Sequence, residues 1–113
     1  MLPQKYRVKR EQEFASIYRR GRKLSSPTLQ ISYIPTDQNI SRFGFVVSKK
    51  HAPRIVDRNR LKRILRAEIA HCRIKISPGH DVVISARAVR GKLDTDAVRF
   101  ELVQLLKKAK LLP

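Results

Sequence analysis

The sequence predicts an α+β fold, a small two-layer sandwich of helices on one sheet, in a single domain over residues 1–113. Segments with helical apolar spacing and segments with strand alternation follow one another in the order α-β-β-β-α-β-α, or α-β-β-α-β-α if residues 24–26 do not begin their own strand. A chain of 113 residues, 42% of them hydrophobic, can bury one modest core.

The first helix is predicted in KREQEFASIYRRGRK, because Phe14, Ile17 and Tyr18 are spaced as one helical stripe and Gly21 follows as a stop. This spacing alone favours the aromatic residues as part of the core. TLQISYI then alternates as a strand and should end at Pro35. RFGFVVS alternates as the next long strand, and the segment KKHAPRIV that follows should be irregular.

The longest helix is predicted from about residue 58 to about residue 73, with the Asp57 carboxylate as its N-terminal cap. One side of this helix is apolar and can pack on the sheet: Leu61, Ile64, Leu65, Ile69 and Cys72. DVVISAR is the last strand. After the loop RGKLDT, with Asp94 as cap, a final helix presents a second apolar stripe: Val98, Leu102, Leu105 and Leu106.

Each predicted strand carries its larger apolar side chains on one face. The other face collects small, polar or basic side chains: Gln30, Ser32, Gly44, Val46, Ser48, Ser85 and Arg87. Such a face suits a groove that is open to a ligand. It equally suits a solvated sheet face, and the pattern alone does not separate the two interpretations.

The charge of the chain points to a polyanionic partner. Lys and Arg number 26 against 9 Asp and Glu, a formal net charge of +17, so RNA, DNA or an acidic membrane surface would relieve self-repulsion. The outer side of the long helix is strongly cationic: Asn59, Lys62, Arg63, Arg66 and Arg73. A membrane-surface helix would carry bulky aromatic residues on its apolar side, whereas arginine forks match phosphate oxygens.

RNA is favoured over DNA as the partner. No zinc-ligand spacing, basic zipper or helix-turn-helix is evident in the sequence. A groove with aromatic side chains nearby suits a single strand, whose bases can stack. We therefore expect an RNA-binding protein, with no DNA and no membrane partner.

The polypeptide carries no recognisable catalytic constellation. His51, His71 and His80 are far apart without metal-ligand spacing, and no carboxylate pair, triad or phosphate-binding glycine loop is seen. The single cysteine, Cys72, falls on an apolar stripe and cannot form an internal disulfide. Together with the absence of a signal segment or a spanning apolar run, this predicts a cytoplasmic protein.

Four segments resemble one known family. FGFVVSKK, followed after seven residues by RNRLKRILRAEI, resembles the signature of the bacterial ribonuclease P protein subunit. EFASIYRRGRK resembles the first helix of that family and HDVVISAR its last strand, so the resemblance extends over roughly residues 9–106. It implies a left-handed crossover through the basic helix, against the usual right-handed rule. It also implies a partner RNA that catalyses cleavage with Mg²⁺.

The resemblance further implies that the protein is a non-catalytic subunit of this endoribonuclease and helps it to remove the 5′ leader of precursor tRNA. Carried over by position, the residues expected to bind the catalytic RNA are Lys49, Lys50, Arg58, Asn59, Arg60, Lys62, Arg63 and Arg66. Those expected in a groove for the single-stranded leader are Phe14, Tyr18, Ser32, Val46, Ser48, Ser85 and Arg87. No protein motif for a metal is expected.

The sequence departs from the family pattern at three places. Ser32 replaces a common groove tyrosine, Tyr18 stands where phenylalanine is frequent, and HAPRIVD replaces a glycine-containing link. These three positions leave loop conformation and leader preference open. Two other functions remain as alternatives, a structural RNA-binding protein of the ribosome and an architectural DNA-binding protein.

Overall fold

The computed structural model describes residues 2–87, 89 and 93–113. Its helices and strands are α1 (Glu11–Arg20), β1 (Arg22–Ser25), β2 (Leu29–Pro35), β3 (Arg42–Val46), α2 (Ile55–Cys72), β4 (His80–Ala86) and α3 (Thr95–Lys108). Short 3-10 turns at Gln4–Tyr6 and Arg73–Lys75 precede α1 and follow α2. The α-β-β-β-α-β-α order is therefore confirmed, with β1 as a separate strand.

The four strands form one mixed sheet in the order β1-β2-β4-β3. β2 pairs antiparallel with both β1 and β4, whereas β3 and β4 are parallel neighbours joined through α2. These two strands and α2 form the βαβ unit to which the family resemblance assigns its crossover. β1 and β3 lie at the two edges of the sheet.

The main core lies between one face of the sheet and the helices α2 and α3. The strands contribute Leu29, Ile31, Phe43, Val82 and Ile84 to it. Every residue predicted for the apolar stripes of the two helices is buried. Burial of each such side chain favours folding by about 1.5–3 kcal/mol, so this layer pair dominates the stability. The predicted two-layer sandwich is confirmed.

The opposite face of the sheet is partly covered by α1. On this face of the sheet, cross-strand pairing aligns the residues of β2, β4 and β3 in three rows: Ile34, Asp81 and Arg42; Ser32, Val83 and Gly44; Gln30, Ser85 and Val46. Ile17 of α1 packs on Val83 in a small second core. Because the first two rows lie beneath α1, only the third row remains open.

Gly44 is the point where α1 comes closest to the sheet. A Cβ at this position would lie 2.7 Å from Cζ of Phe14, so glycine is needed for the Phe14 ring to approach β3. The core interpretation of the aromatic spacing is thus confirmed for Phe14, which is half-buried against the sheet. It is wrong for Tyr18, whose exposed fraction is 51%.

The N-terminus of α2 differs from the prediction. The helix begins at Ile55 rather than residue 58, and Arg54 stands at its N-cap position. Asp57 is therefore inside the first turn, where a carboxylate is favourable for the helix dipole but is not the cap. The Asp94 cap of α3 is confirmed, because its Oδ1 accepts hydrogen bonds from the backbone N–H groups of Asp96 and Ala97. Residues 90–92 of the predicted RGKLDT loop lie outside the described residues.

Acid should weaken the fold through Glu13. Arg42 donates a hydrogen bond of 2.7 Å to Glu13 Oε2, and this bond holds the pKa of the Glu13 carboxyl below its ordinary value. The stabilisation is complete above the unfolded pKa of about 4.5 and is lost as pH falls through the lowered folded pKa. Urea titrations should show the free energy of unfolding falling in that acidic window, and less steeply for Glu13→Gln. Identical pH profiles for both proteins would contradict this role.

Candidate nucleic-acid interface

The open row of the sheet forms the floor of a groove of about 420 Å³. Its lining combines strand, helix and loop residues: Tyr18, Gln30, Val46, Ser48, His51, Ser85, Ala86 and Arg87. We call this surface the sheet groove. The floor side chains are small or flexible, so an extended chain can approach the sheet closely, while the exposed Tyr18 ring forms one wall.

Polar groups and cations surround the sheet groove. Ser85 Oγ donates a hydrogen bond to the Gln30 carbonyl oxygen at 3.3 Å. Arg87 donates to the carbonyl oxygen of Ser26 at 3.1 Å and is otherwise exposed. The Lys23 ammonium lies 5.0 Å from the centre of the Tyr18 ring. The groove therefore offers an aromatic face together with positive charge, which is the combination that binds single-stranded nucleic acid.

Five of the seven residues predicted for a leader groove line it: Tyr18, Val46, Ser48, Ser85 and Arg87. Phe14 lies one helical turn before Tyr18, beyond Val46. Ser32 does not line the groove, because it belongs to the row beneath α1 and is only 1% exposed. The prediction that Ser32 contacts a ligand is therefore wrong, because its side chain is buried beneath α1.

His51 is a groove residue that the sequence did not reveal. Its Nδ1 lies 3.0 Å from Ser48 Oγ, and its backbone N–H donates to the Ser48 carbonyl oxygen. This turn folds the start of the HAPRIVD link back over the end of β3. The sequence carries no spacing signal for such a contact.

The lysine pair lies beside the sheet groove. Lys49 and Lys50 are exposed in the turn between Ser48 and His51, which both line the groove. The lysine pair therefore adjoins the groove along the chain without lining it.

The cationic residues of α2 divide into three sectors. Arg58, Lys62 and Arg66 follow one another at i, i+4 and i+8 on the flank next to β3, and the Arg66 guanidinium lies 6.0 Å from the centre of the Phe45 ring. Asn59 and Arg63 are exposed. Arg60 points to the opposite flank, where it lines a cleft with Val89 and Leu93. The residues of the stripe expected from the helical wheel therefore lie in neighbouring sectors, whereas Arg60, which was carried over from the family motif, lies apart from them.

Arg58 also supports the link before α2. Its Nη1 donates to the carbonyl oxygens of Ala52 and Pro53 at 3.0 and 2.9 Å. Because guanidinium carries five N–H donors, the same side chain keeps donors for another partner. Arg58 is consequently both a positioning residue for the link and a candidate contact.

The acids of α2 do not neutralise its cationic residues. Asp57 lies 3.8 Å from Arg54, and Glu68 lies 3.7 Å from Arg99. Neither arginine belongs to the predicted RNA-binding set. The outward arginines of α2 therefore keep their charge, which suits repeated contacts with phosphate groups.

Among the described residues, neither an ionised thiol nor a cluster of metal ligands is present. Burial raises the pKa of the Cys72 thiol to about 11, so it is protonated at neutral pH. Within the ranges 2–87 and 93–113, His, Cys, Asp and Glu form no group of three that could hold a metal ion. Over the same described part of the chain, no helix is long and apolar enough to cross a membrane.

The fold and its two surfaces define a small, basic α+β protein in which a cationic helix lies beside an open sheet groove. A family model described as Ribonuclease P matches residues 2–110. The ribonuclease P protein component of Syntrophomonas wolfei is 33% identical over 98% of this chain and 92% of that protein. The ribonuclease P protein component of Synechococcus elongatus is 37% identical over 98% of this chain and 95% of that protein. The chain belongs to the ribonuclease P protein family.

Solved structures agree with this assignment. The RNase P protein of Staphylococcus aureus has a TM-score of 0.86 at 27% identity, covering 96% of this chain and 98% of that one. The protein of Thermotoga maritima has a TM-score of 0.78, also at 27% identity, with coverages of 90% and 96%. The resemblance and the fold class predicted from the sequence are both confirmed, and the chain is of the kind that forms part of the tRNA-processing ribonucleoprotein.

Proposed function

We propose that this chain is the protein subunit of a ribonuclease P, binding the catalytic RNA through α2 and the 5′ leader of precursor tRNA through the sheet groove. The observation that supports the proposal is the presence of two separate surfaces of different character, one on α2 and one on the sheet. α2 presents exposed arginine on a helix, whereas the groove presents a small polar floor and an aromatic wall. The family membership favours this function over the ribosomal and DNA-binding alternatives.

The α2 surface suits a folded RNA. Asn59 and Arg63 project from the helix, and Lys62 and Arg66 flank them towards β3. Arginine forks bind phosphate oxygens in pairs, and a row of them follows a backbone without reading its bases. This contact fixes the protein on the RNA subunit and is expected to weaken steeply with salt.

The sheet groove suits an unpaired strand. Tyr18 offers a ring on which a base can stack, and Arg87, Lys49 and Lys50 can neutralise phosphates at the rim. The floor of the groove is a single row of residues, one from each of three strands, and a base-paired stem is too wide for it. The groove therefore discriminates a precursor, which has a leader, from a mature tRNA, which has none.

The protein itself acts as a cofactor of an RNA enzyme in the cytoplasm. The protonated Cys72 thiol is no nucleophile, and the acidic residues form no cluster that fits Mg²⁺ in the described residues. We assign the Mg²⁺ that the family resemblance implies to the RNA subunit. The chain's own residues bind and orient the RNA strands, and the density of positive charge lowers repulsion between the RNA subunit and its RNA substrate.

Reconstitution at low Mg²⁺ tests this function. Ribonuclease P RNA, precursor tRNA and the purified protein should together release the 5′ leader, while the RNA alone is slow and the protein alone is inactive. Cleavage by RNA-free protein that survives nuclease treatment would contradict the cofactor role. A protein that leaves the activity of the RNA unchanged would contradict the assignment altogether.

A further inference from the structure

The turn between β1 and β2 is held by a carboxylate from the last helix of the chain. Glu101 of α3 accepts hydrogen bonds from Ser26 Oγ at 2.5 Å and from the Thr28 backbone N–H at 2.9 Å, both on its Oε1 atom. All three residues are partly buried, and 73 positions of the chain separate Glu101 from Thr28. Both donors are neutral groups of the turn, which this carboxylate therefore fixes against α3.

The same turn receives Arg87, a residue of the sheet groove. The Thr28 carbonyl oxygen accepts a hydrogen bond from the backbone N–H of Arg87 at 2.7 Å, and the Ser26 carbonyl oxygen accepts one from its side-chain Nη1 at 3.1 Å. Each of the two turn residues that donate to Glu101 thus also accepts from Arg87. A displacement of this turn would therefore disturb both the backbone and the side chain of the arginine.

Arg87 has donors left for an occupant of the groove. A guanidinium carries five N–H donors, and the Ser26 carbonyl oxygen engages only the Nη1 nitrogen. The side chain is exposed and lines the sheet groove. An arginine that is already ordered loses less conformational entropy on binding than a mobile one, a difference that corresponds to about 2- to 12-fold in affinity.

We infer that Glu101 is a positioning residue for the sheet groove: it fixes the turn at Ser26 and Thr28, and the turn directs the Arg87 guanidinium towards a phosphate of the single-stranded leader. This inference rests on the proposed function of the sheet groove. Glu101 itself makes no contact with the RNA, and its effect passes through Arg87. Its neighbour Leu102 is fully buried in the main core, so the carboxylate gives the turn a rigid support.

The precursor preference of the reconstituted holoenzyme, which is the ratio of its affinities for precursor and mature tRNA, isolates the contribution of the leader. Arg87→Ala should lower this preference by about tenfold or more, the effect of one lost hydrogen bond to a charged group. Glu101→Ala should lower it by about 2- to 12-fold, because Arg87 remains but is no longer ordered. Glu101→Gln should retain the preference, because an amide oxygen can accept both hydrogen bonds of the turn.

A double-mutant cycle separates positioning from general support of the fold. Glu101→Ala should have no further effect on the preference in a protein that already carries Arg87→Ala. Glu68→Ala is the matched control, because it also removes one carboxylate between two elements, 3.7 Å from Arg99, and it should leave the preference unchanged. Circular dichroism establishes that each variant is folded. Ser26→Ala, which removes the hydroxyl donor to Glu101 but keeps the carbonyl oxygen, takes the place of Glu101→Ala if that variant unfolds.

An equal loss of preference for Glu101→Ala with and without Arg87 would overturn the inference, since the carboxylate would then act independently of the arginine. So would an unchanged preference in Glu101→Ala, or a loss in Glu101→Gln as large as in Glu101→Ala. If Tyr18→Ala lowers the preference while Arg87→Ala does not, only the inference fails. If neither variant lowers it, the proposed function of the groove fails as well.

Discussion

Replacing Arg63 and Arg66 together by alanine is expected to lower the affinity for ribonuclease P RNA by about 100-fold or more. Arg63 is exposed and Arg66 partly so, and both belong to the RNR-containing helix. A hydrogen bond to a charged group contributes about 1.5–3 kcal/mol, and each 1.4 kcal/mol is about a factor of ten in affinity. Two lost phosphate contacts therefore account for two factors of ten.

The salt dependence of binding separates this effect from a loss of overall charge. Each phosphate contact contributes about 0.7–0.9 to the slope of log affinity against log salt, so the double variant should show a slope smaller by about 1.5. The control is Lys107→Ala with Lys108→Ala, which removes the same charge from exposed positions at the end of α3. If the variant lacking Arg63 and Arg66 has the same affinity and the same salt slope as the parent protein, α2 is excluded as the surface that binds the RNA subunit.

Tyr18→Ala is expected to weaken holoenzyme binding to precursor tRNA by about 5- to 150-fold, with mature tRNA binding unchanged. The range follows from about 1–3 kcal/mol for a base stacked on an aromatic ring. Because the Tyr18 side chain is 51% exposed, its truncation should cost the fold little. Tyr18→Phe keeps the ring and should retain nearly all of the precursor affinity.

Circular dichroism and thermal unfolding of the Tyr18 variants provide the control for folding. A folded Tyr18→Ala protein that weakens precursor and mature tRNA equally, or neither, would show that the ring does not contact the leader. Loss of the precursor preference in Tyr18→Phe as well would assign the effect to the hydroxyl group rather than to stacking.

The core could be predicted from the sequence because it depends on local spacing. The buried stripe of α2, including Leu61 and Ile69, follows from helical periodicity and a polar outer side alone. The open row of the sheet was visible in part for the same reason, since alternation separates Val46 and Ser85 from their buried neighbours. The family motif then indicated which polyanion these surfaces would meet.

The position of α1 over the sheet could not be predicted, because it depends on contacts between distant residues. The Phe14–Gly44 contact and the Glu13–Arg42 ion pair place α1 over the first two rows. These contacts bury Ser32 and leave Tyr18 at the groove wall, which spacing within α1 cannot reveal. The same limit explains His51, whose place depends on a turn after β3.

The start of α2 shows what a helical wheel and a sequence motif leave out. α2 begins three residues before the predicted first residue. The Arg58 guanidinium donates hydrogen bonds to the carbonyl oxygens of Ala52 and Pro53, and these bonds hold the link that precedes the helix. Arg60, which the family motif groups with the other arginines, lies in a cleft with Val89 and Leu93. A wheel places residues around an axis but does not contain the neighbouring elements that divide its surface.

Site-specific photocrosslinking of the assembled holoenzyme with precursor tRNA tests most directly that α2 and the sheet groove bind different RNAs. A photoreactive side chain is placed at position 63 in one protein and at position 18 in another. We expect crosslinks from position 63 to the RNA subunit and from position 18 to the 5′ leader of the precursor. Crosslinks from position 63 to the leader and from position 18 to the RNA subunit, or from both positions to the same RNA, would contradict the account.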